Sequence, residues 1–425
     1  MSQGMTRREF VQKGLTIIAM GSTAPSFLTR TALAMANPFD IAQVTSRPGV
    51  PDDNVLVVVQ MGGGNDGLNT IVPVTDDAYY RARPRLAIPR NEVIQLNSEL
   101  GLHPKMTKFK ELMDRGVAGV IQGVGYPNPS RSHFKSMEIW HTADPEGRVM
   151  QVGWIGRYFD SKCPVCVEPT AGVNLGSSMP LAMKAEGGQG ATLENPDAFQ
   201  WMSSLDGIGA REEQELFRML NSPAPNEPGT IDFLRHTAMN AVLSSERVRE
   251  AVRQYKGGID YPNNRFAFSM RLISQMIAGR LPTKVYYAHM TGFDTHASQQ
   301  GVHDALLEQL STGVDAFYRD LEAQGNADRV LVVAFSEFGR RVAENGSAGT
   351  DHGTAAPMFV FGKRVKPGIH GRQPSLNELV DGDLKHNIDF RSVYATLLGN
   401  WMGAPAEEVL GGGYERLPLL SAAPH

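Results

Sequence analysis

Acidic, imidazole and hydroxyl side chains recur in this 425-residue chain as short clusters, each set beside an apolar run. Asn65 and Asp66 follow the run 55–60. Ser130, Arg131, Ser132 and His133 follow 117–122. Asp294 and His296 follow 284–290, Glu337 and Arg340 follow 330–335, and Asp351 and His352 precede 358–361. Taken singly, each has a bland explanation: Asn65 and Asp66 suit a turn, Ser130 a helix cap, His133 and His141 a hydrogen-bonded core position, Asp351 a turn cap. Together they supply carboxylates, imidazoles and hydroxyls, the donor set of a divalent cation such as zinc, manganese, magnesium or calcium.

For these clusters to meet, the apolar runs must lie side by side. Several are apolar at successive positions, as strands covered on both faces are. Helical periods lie between them: Leu306, Leu310, Val314, Phe317 and Leu321 form one stripe, and Phe266, Met270, Ile273 and Ile277 another. Strands alternating with such helices predict an α/β fold, a mainly parallel central sheet with helices on both faces. In an open sheet of this kind, ligands gather beyond the carboxyl ends of the strands. Residues 37–425 are expected to form one α/β domain, with an irregular, Gly-, Ser-, Met- and Pro-rich insertion around 174–228. No internal repeat is evident.

The stretch "MGGGNDGLN" poses a choice of its own. Gly62, Gly64 and Gly67 match the spacing of a dinucleotide fingerprint, but that motif must open a helix, and Pro73 argues against a long one. The glycines are read instead as letting the backbone turn tightly and approach a ligand, with Asp66 offering an oxygen to a metal.

Residues 1–36 read as a secretory signal of the twin-arginine kind: Arg7 and Arg8 before Phe10, an uncharged stretch from Gly14 to Phe27, then small residues at Ala32, Ala34 and Ala36. The expected workplace is the periplasm or cell exterior, reached by a folded protein, with room for a co-exported protein partner. The apolar stretch is too short and polar for a permanent membrane span, and no other segment approaches ~18 apolar residues. With 41 Lys and Arg against 45 Asp and Glu, the formal net charge is −4, which gives no electrostatic footprint for nucleic acid. The two cysteines, Cys163 and Cys166, are too few for a structural zinc site; a local disulfide is expected in an oxidising compartment, since no βαβ context supports a redox motif.

The motifs "VLVVVQMGGGNDGLNTIVP", "YPNPSRSHFKSMEIWHTADP", "GWIGRY", "GFDTHASQ", "FSEFGRR" and "TDHGTAAPMFVFG", in that order, resemble the bacterial family known as domain of unknown function 1501. That family in turn resembles a remote branch of the alkaline phosphatase and sulfatase superfamily, which implies an alkaline-phosphatase-like sheet with one or two metals at its carboxyl edge beside a nucleophile. By this resemblance Asp66 is similar to the first-strand aspartate of the metal site, Asp294 and His296 to a ligand pair before a helix, and His352 to a late histidine ligand. The stretch 127–131 resembles Cys-x-Pro-Ser-Arg with Pro127 in the nucleophile position, and 387–403 resembles the superfamily's closing segment. Where a relative carries Asp-His, this chain has Glu337-Phe338, so a ligand of the second metal is missing and one ion is expected rather than two.

The implied function is an exported metal-dependent hydrolase or transferase acting on a phosphate or sulfate ester. Asp66, Asp294, His296, Glu337 and His352, with Asn65 and Asp351 beside them, would form the metal pocket. Ser130 or Ser132 would attack, Arg131 and Arg340 would clamp the anionic group, and His133 would act as acid or base. The alternative is a non-catalytic periplasmic binding or assembly factor with a degenerate hydrolase fold.

Overall fold

Alternation along the first strand sets the layers. In the computed structural model, which describes residues 54–146, 150–162, 170–186, 190–197, 208–221, 242 and 244–421, strand β1 (Val55–Gly62) lies in the middle of the sheet. Val55, Val57, Val59 and Met61 enter one core and Leu56 and Val58 the other, because successive side chains of a strand point to opposite faces. The first core is closed by helices α1 (Thr107–Asp114), α4 (Arg265–Ala278) and α5 (Gln299–Ala323). The second is closed by α2 (His133–Thr142), α3 (Trp154–Lys162) and α6 (Phe390–Thr396). Both apolar stripes read from the sequence lie buried on α4 and α5.

The remaining strands of the sheet are β2 (Ala118–Gly125), β3 (Gly172–Leu175), β4 (Ala191–Leu193), β5 (Val285–Thr291), β6 (Val330–Phe335), β7 (Ala356–Phe361), β8 (Gly368–His370) and β9 (Ile388–Asp389). Their order is β8-β2-β7-β6-β1-β5-β3-β4, with β9 also pairing β2. Every pairing is parallel except those of β7, which runs against both β2 and β6. The α/β class is as the sequence predicts. β3 and β4 were not anticipated, being only four and three residues long; the stretch read as irregular around 174–228 therefore contributes an edge strand, and further on the amphipathic helix Ile208–Asn221.

The reversed strand brings a further connection to the functional edge. Chain segments leaving β1, β2, β5 and β6 emerge at one edge, and because β7 is antiparallel, the segment entering it starts from that same edge. Among the described residues no helix is long and apolar enough to cross a membrane. The proposed signal at 1–36 and both cysteines lie outside the described residues.

Candidate metal centre

Four side chains from three connections converge at this edge. His133 is the first residue of α2, Asp294 and His296 lie between β5 and α5, and His352 lies between β6 and β7, where a backbone bridge pairs it with Arg340. Asp294 Oδ1 is 3.0 Å from His296 Nε2 and 3.0 Å from His352 Nε2, and these two nitrogens are 2.9 Å apart. His133 Nε2 is 3.4 Å from Asp294 Oδ2. His133, Asp294 and His352 offer ligand atoms within 4.8 Å of one another.

Each imidazole is oriented from behind. His133 Nδ1 lies 2.8 Å from Glu337 Oε1, His296 Nδ1 3.2 Å from Asp351 Oδ1, and His352 Nδ1 2.8 Å from the Arg131 carbonyl oxygen. All three partners are acceptors, so each Nδ1 carries a proton and each ring points its Nε2 toward Asp294. Two Nε2 atoms and one carboxylate oxygen standing 2.9 to 3.0 Å apart must hold a proton or a cation between them. The donor set, imidazole nitrogens held by outer carboxylate or carbonyl oxygens plus one carboxylate, fits a divalent cation. Partial burial alone would raise the Asp294 carboxyl. Hydrogen bonds from Arg340 and His352, with the Arg340 charge, outweigh it and hold the group well below the usual carboxylate range, as an anion.

Several roles assigned from the sequence change here. Asp66 is not in the cluster: it is buried, its Oδ2 pairs with Arg83 Nη1 at 2.6 Å and accepts from Gln299, and its Oδ1 caps the short helix Gly67–Thr70. Asn65 is likewise committed, its Oδ1 bonded to Thr70 Oγ1 and His303 Nε2. Glu337 and Asp351 stand behind histidines rather than among the converging atoms; Glu337 Oε1 also accepts from the Gly63 amide at 2.9 Å. Arg340 is no substrate clamp. Its fully buried guanidinium donates to the carbonyls of Gly63, Gly64, Phe293 and Thr350 and, at 2.7 Å, to Asp294. Arg131 is drawn away to buried Asp383, and it is its carbonyl that serves the site. Ser130 Oγ accepts from the Ser132 amide at 3.2 Å in a tight turn, whereas Ser132, beside His133 and exposed, makes no side-chain cap bond.

The glycines of "MGGGNDGLN" act through space rather than through a ligand. Gly63 has φ +121°, and a Cβ there would lie 2.3 Å from the Asp294 nitrogen; at Gly64, φ +87°, it would meet the Phe338 ring at 2.5 Å. Only glycine lets the end of β1 press against the segment that carries Asp294.

A cavity of about 540 Å³ opens beside the cluster. Phe134, Met137, Glu138 and His141, at helical spacing on α2, form one wall; Leu181 and Gln60 belong to the facing side. Gln60 Oε1 accepts from Tyr287 Oη at 2.7 Å and lies 3.1 Å from His141 Nε2. Burial, with His289 nearby, pushes His141 down to about 3, and burial with Arg265 lowers His289 to about 4, so both are neutral. The sequence reading missed Gln60 and Tyr287. The one available signal was a polar Gln60 ending an otherwise apolar run.

Residues 232–411 match the family model described as "Protein of unknown function (DUF1501)". This agrees with the family named from the motifs. A 113-residue stretch is 30% identical to a citrate-proton symporter from Klebsiella pneumoniae, covering 26% of this chain and 25% of the symporter, so the chain spans only about a quarter of that relative's length. Among solved structures the chain is similar to the sulfatase PsFucS1 from Pseudoalteromonas sp. (TM-score 0.41, 11% identity, 94% of this chain and 76% of that one). It is similar also to a protein in the alkaline phosphatase superfamily from Vibrio parahaemolyticus (0.35, 8%, 91% and 76%) and to the C-terminal periplasmic domain of EcEptC from Escherichia coli (0.37, 9%, 84% and 86%).

Proposed function

We propose that the chain is a metal-dependent hydrolase or transferase of an anionic ester, holding one divalent cation with Asp294, His296, His352 and His133. The observation that carries this reading is the convergence of Asp294 Oδ1 and the Nε2 atoms of His296 and His352 at 2.9 to 3.0 Å, with each Nδ1 already engaged by an outer acceptor. When bound there, a divalent cation would polarise an ester oxygen and lower the pKa of a coordinated water or hydroxyl.

The chain's own residues supply the rest. Glu337, Asp351 and the Arg131 carbonyl fix the tautomer of each histidine, and Arg340 braces Asp294 against the end of β1. Ser132, exposed beside His133, is favoured over Ser130 as an attacking hydroxyl. The cavity along α2 receives the remainder of the ester. We further propose that the protein works outside the cytoplasm, on the strength of the N-terminal 36 residues, and that a partner travels with it.

The test is elemental analysis of full-length protein purified without chelator, with Asp294→Ala and His352→Ala alongside, followed by assay on aryl phosphate, phosphodiester and sulfate esters. One equivalent of metal, lost in both variants together with turnover, is expected. A metal-free wild type whose behaviour the variants leave unchanged sinks the reading. A second reading, a non-catalytic binding factor, draws on the engagement of Arg131 and Arg340 elsewhere; metal binding without turnover of any ester favours it.

A further inference from the structure

The stretch "LVDGDL", residues 379–384, offers no atom to the cluster at Asp294, yet it grips the backbone on which the cluster depends. Asp381 and Gly382 both have positive φ, +53° and +82°, and join Leu379–Val380 to Asp383–Leu384 as the two-residue turn of a tight hairpin. Leu384 is buried, and its carbonyl accepts from Thr354 Oγ1. That seat fixes Asp383 beside it, an acidic side chain only 1% exposed.

Two arginines meet Asp383. Arg131 donates from Nε to Oδ2 at 2.7 Å and adds a second bond from Nη2, while Arg341 Nε lies 3.8 Å from Oδ1, which accepts no hydrogen bond. A buried carboxylate satisfied on one oxygen adds little to stability, because the cost of dehydrating it offsets the attraction of its partners. What it does supply is placement. Residues 127–132 form an exposed turn in which only Ser130 is half-buried, so packing of their own side chains does little to fix them. The turn is held by the Ser130 amide, which donates to Tyr126 Oη at 3.0 Å, and by the Arg131 pair with Asp383. Arg131 is also the residue whose carbonyl accepts from His352 Nδ1 at 2.8 Å, and Ser132 and His133 come directly after it. On the other side, the Arg341 amide donates to the Asp351 carbonyl at 3.0 Å, and Asp351 stands behind His296. One carboxylate thus faces both segments that supply outer acceptors to these histidines, tightly toward His352 and loosely toward His296.

We propose that Asp383 is a positioning residue of the metal centre: through the Arg131 side chain it sets the place of the Arg131 carbonyl, and so the direction in which His352 presents Nε2. This rests on the reading of the cluster as a metal site. It adds a layer to that site, in a hairpin distant in sequence, which acts through Arg131 rather than by touching the ion.

Asp383→Asn keeps the shape and removes the charge; Arg131→Gln removes the guanidinium and leaves the backbone carbonyl in the chain. The two are compared singly and together in full-length protein. Because the Arg131 side chain is 38% exposed, its variant folds even where Asp383→Asn does not. Zn²⁺ affinity, read by competition with a chelating dye, should fall roughly tenfold in each single variant, the lower end of the loss for an outer partner of a metal ligand. The double variant should lose no more than the weaker-binding single one, since both changes break the same link. Co²⁺ bound in place of Zn²⁺ should show an altered visible absorption spectrum in these variants, which a purely structural hairpin would leave as in the wild type. In metal-free protein carrying isotopically labelled histidine, the NMR signal of the His352 ring should move more than that of His296. Val380→Thr, an exposed position of the same hairpin, should change none of these readouts. Folded variants with wild-type Zn²⁺ affinity and Co²⁺ spectrum overturn the proposal and leave the metal site standing. So does full additivity of the two losses. A wild type that binds neither ion overturns the metal reading and this proposal together.

Discussion

Two groups of like composition lie at the same edge of the sheet, and they end differently. Around Asp66 are Arg83, Asn65, His303 and Gln299; around Asp294 are Arg340, His133, His296 and His352. In the first group the Arg83 and Asp66 side chains are 0% and 1% exposed, and every donor of Arg83 that bonds finds a carbonyl, amide or carboxylate oxygen. In the second the Asp294 and His296 side chains are 47% and 44% exposed, and two imidazole nitrogens crowd one carboxylate oxygen. A network whose charges are paired by protein atoms, as Asp66 and Arg83 are, is architecture, even with Asn65 Nδ2 left without a partner. One whose ligating atoms converge half-exposed at the mouth of a cavity suits a visitor.

The largest break in this comparison should come from His296→Ala, which removes one converging nitrogen from a half-exposed side chain on which no buried charge depends: metal content should fall to background while the melting temperature of the metal-free protein stays near wild type, measured by elemental analysis and calorimetry. Arg83→Met should do the reverse. Leaving Asp66 charged and buried without its partner should cost about 3–5 kcal/mol of stability in urea unfolding, while any correctly folded fraction keeps its metal. A result in which Arg83→Met abolishes metal binding in folded protein would merge the two groups and defeat the contrast.

Glu337→Gln tests the layer between them. Loss of the charge behind His133 should weaken metal affinity by roughly 10- to 100-fold, read by competition with a chelating dye. An unchanged affinity would take Glu337 out of the site.

The smallest effect is the acid limb of stability. Burial lowers His303 to about 3, against the opposing charge of Asp66, and lowers His141 to about 3. A histidine with a depressed folded pKa binds its proton more readily when unfolded. Its contribution is thus complete above about pH 6.5 and is lost as pH falls toward 3, at about 1.4 kcal/mol per pH unit for each such group. His303→Gln should flatten the dependence of the urea midpoint between those limits by about that much. An unaltered slope would show that His303 is not buried neutral.

The sequence made the scaffold legible where burial leaves a long signal. β1, β2, β5, β6 and β7 are apolar runs because helices cover both faces, and the stripes on α4 and α5 fall at the helical period. β3 and β4 were invisible, as strands of three or four residues carry too little pattern. Within the site, the approach of Asp294, His296 and His352 follows from their places beside strand ends. What could not be read was the division of labour. Nothing in "RARPRLAIPR" marks Arg83 as the partner of Asp66 rather than a solvated charge, and spacing does not reveal that Arg340 spends its donors on four carbonyls and a carboxylate. His133 was taken for an acid or base because its ring was not known to be held by Glu337.

The reversal of β7 has an effect on assembly. Because the loop bearing His352 reaches the edge only when that strand has inserted between β2 and β6, and His133 and Asp294 arrive from distant stretches of chain, no fragment of the sheet can present the whole donor set. An ion would grip the completed molecule and scarcely touch a half-built one, adding stability according to its free concentration. Occupancy would then certify that folding had finished.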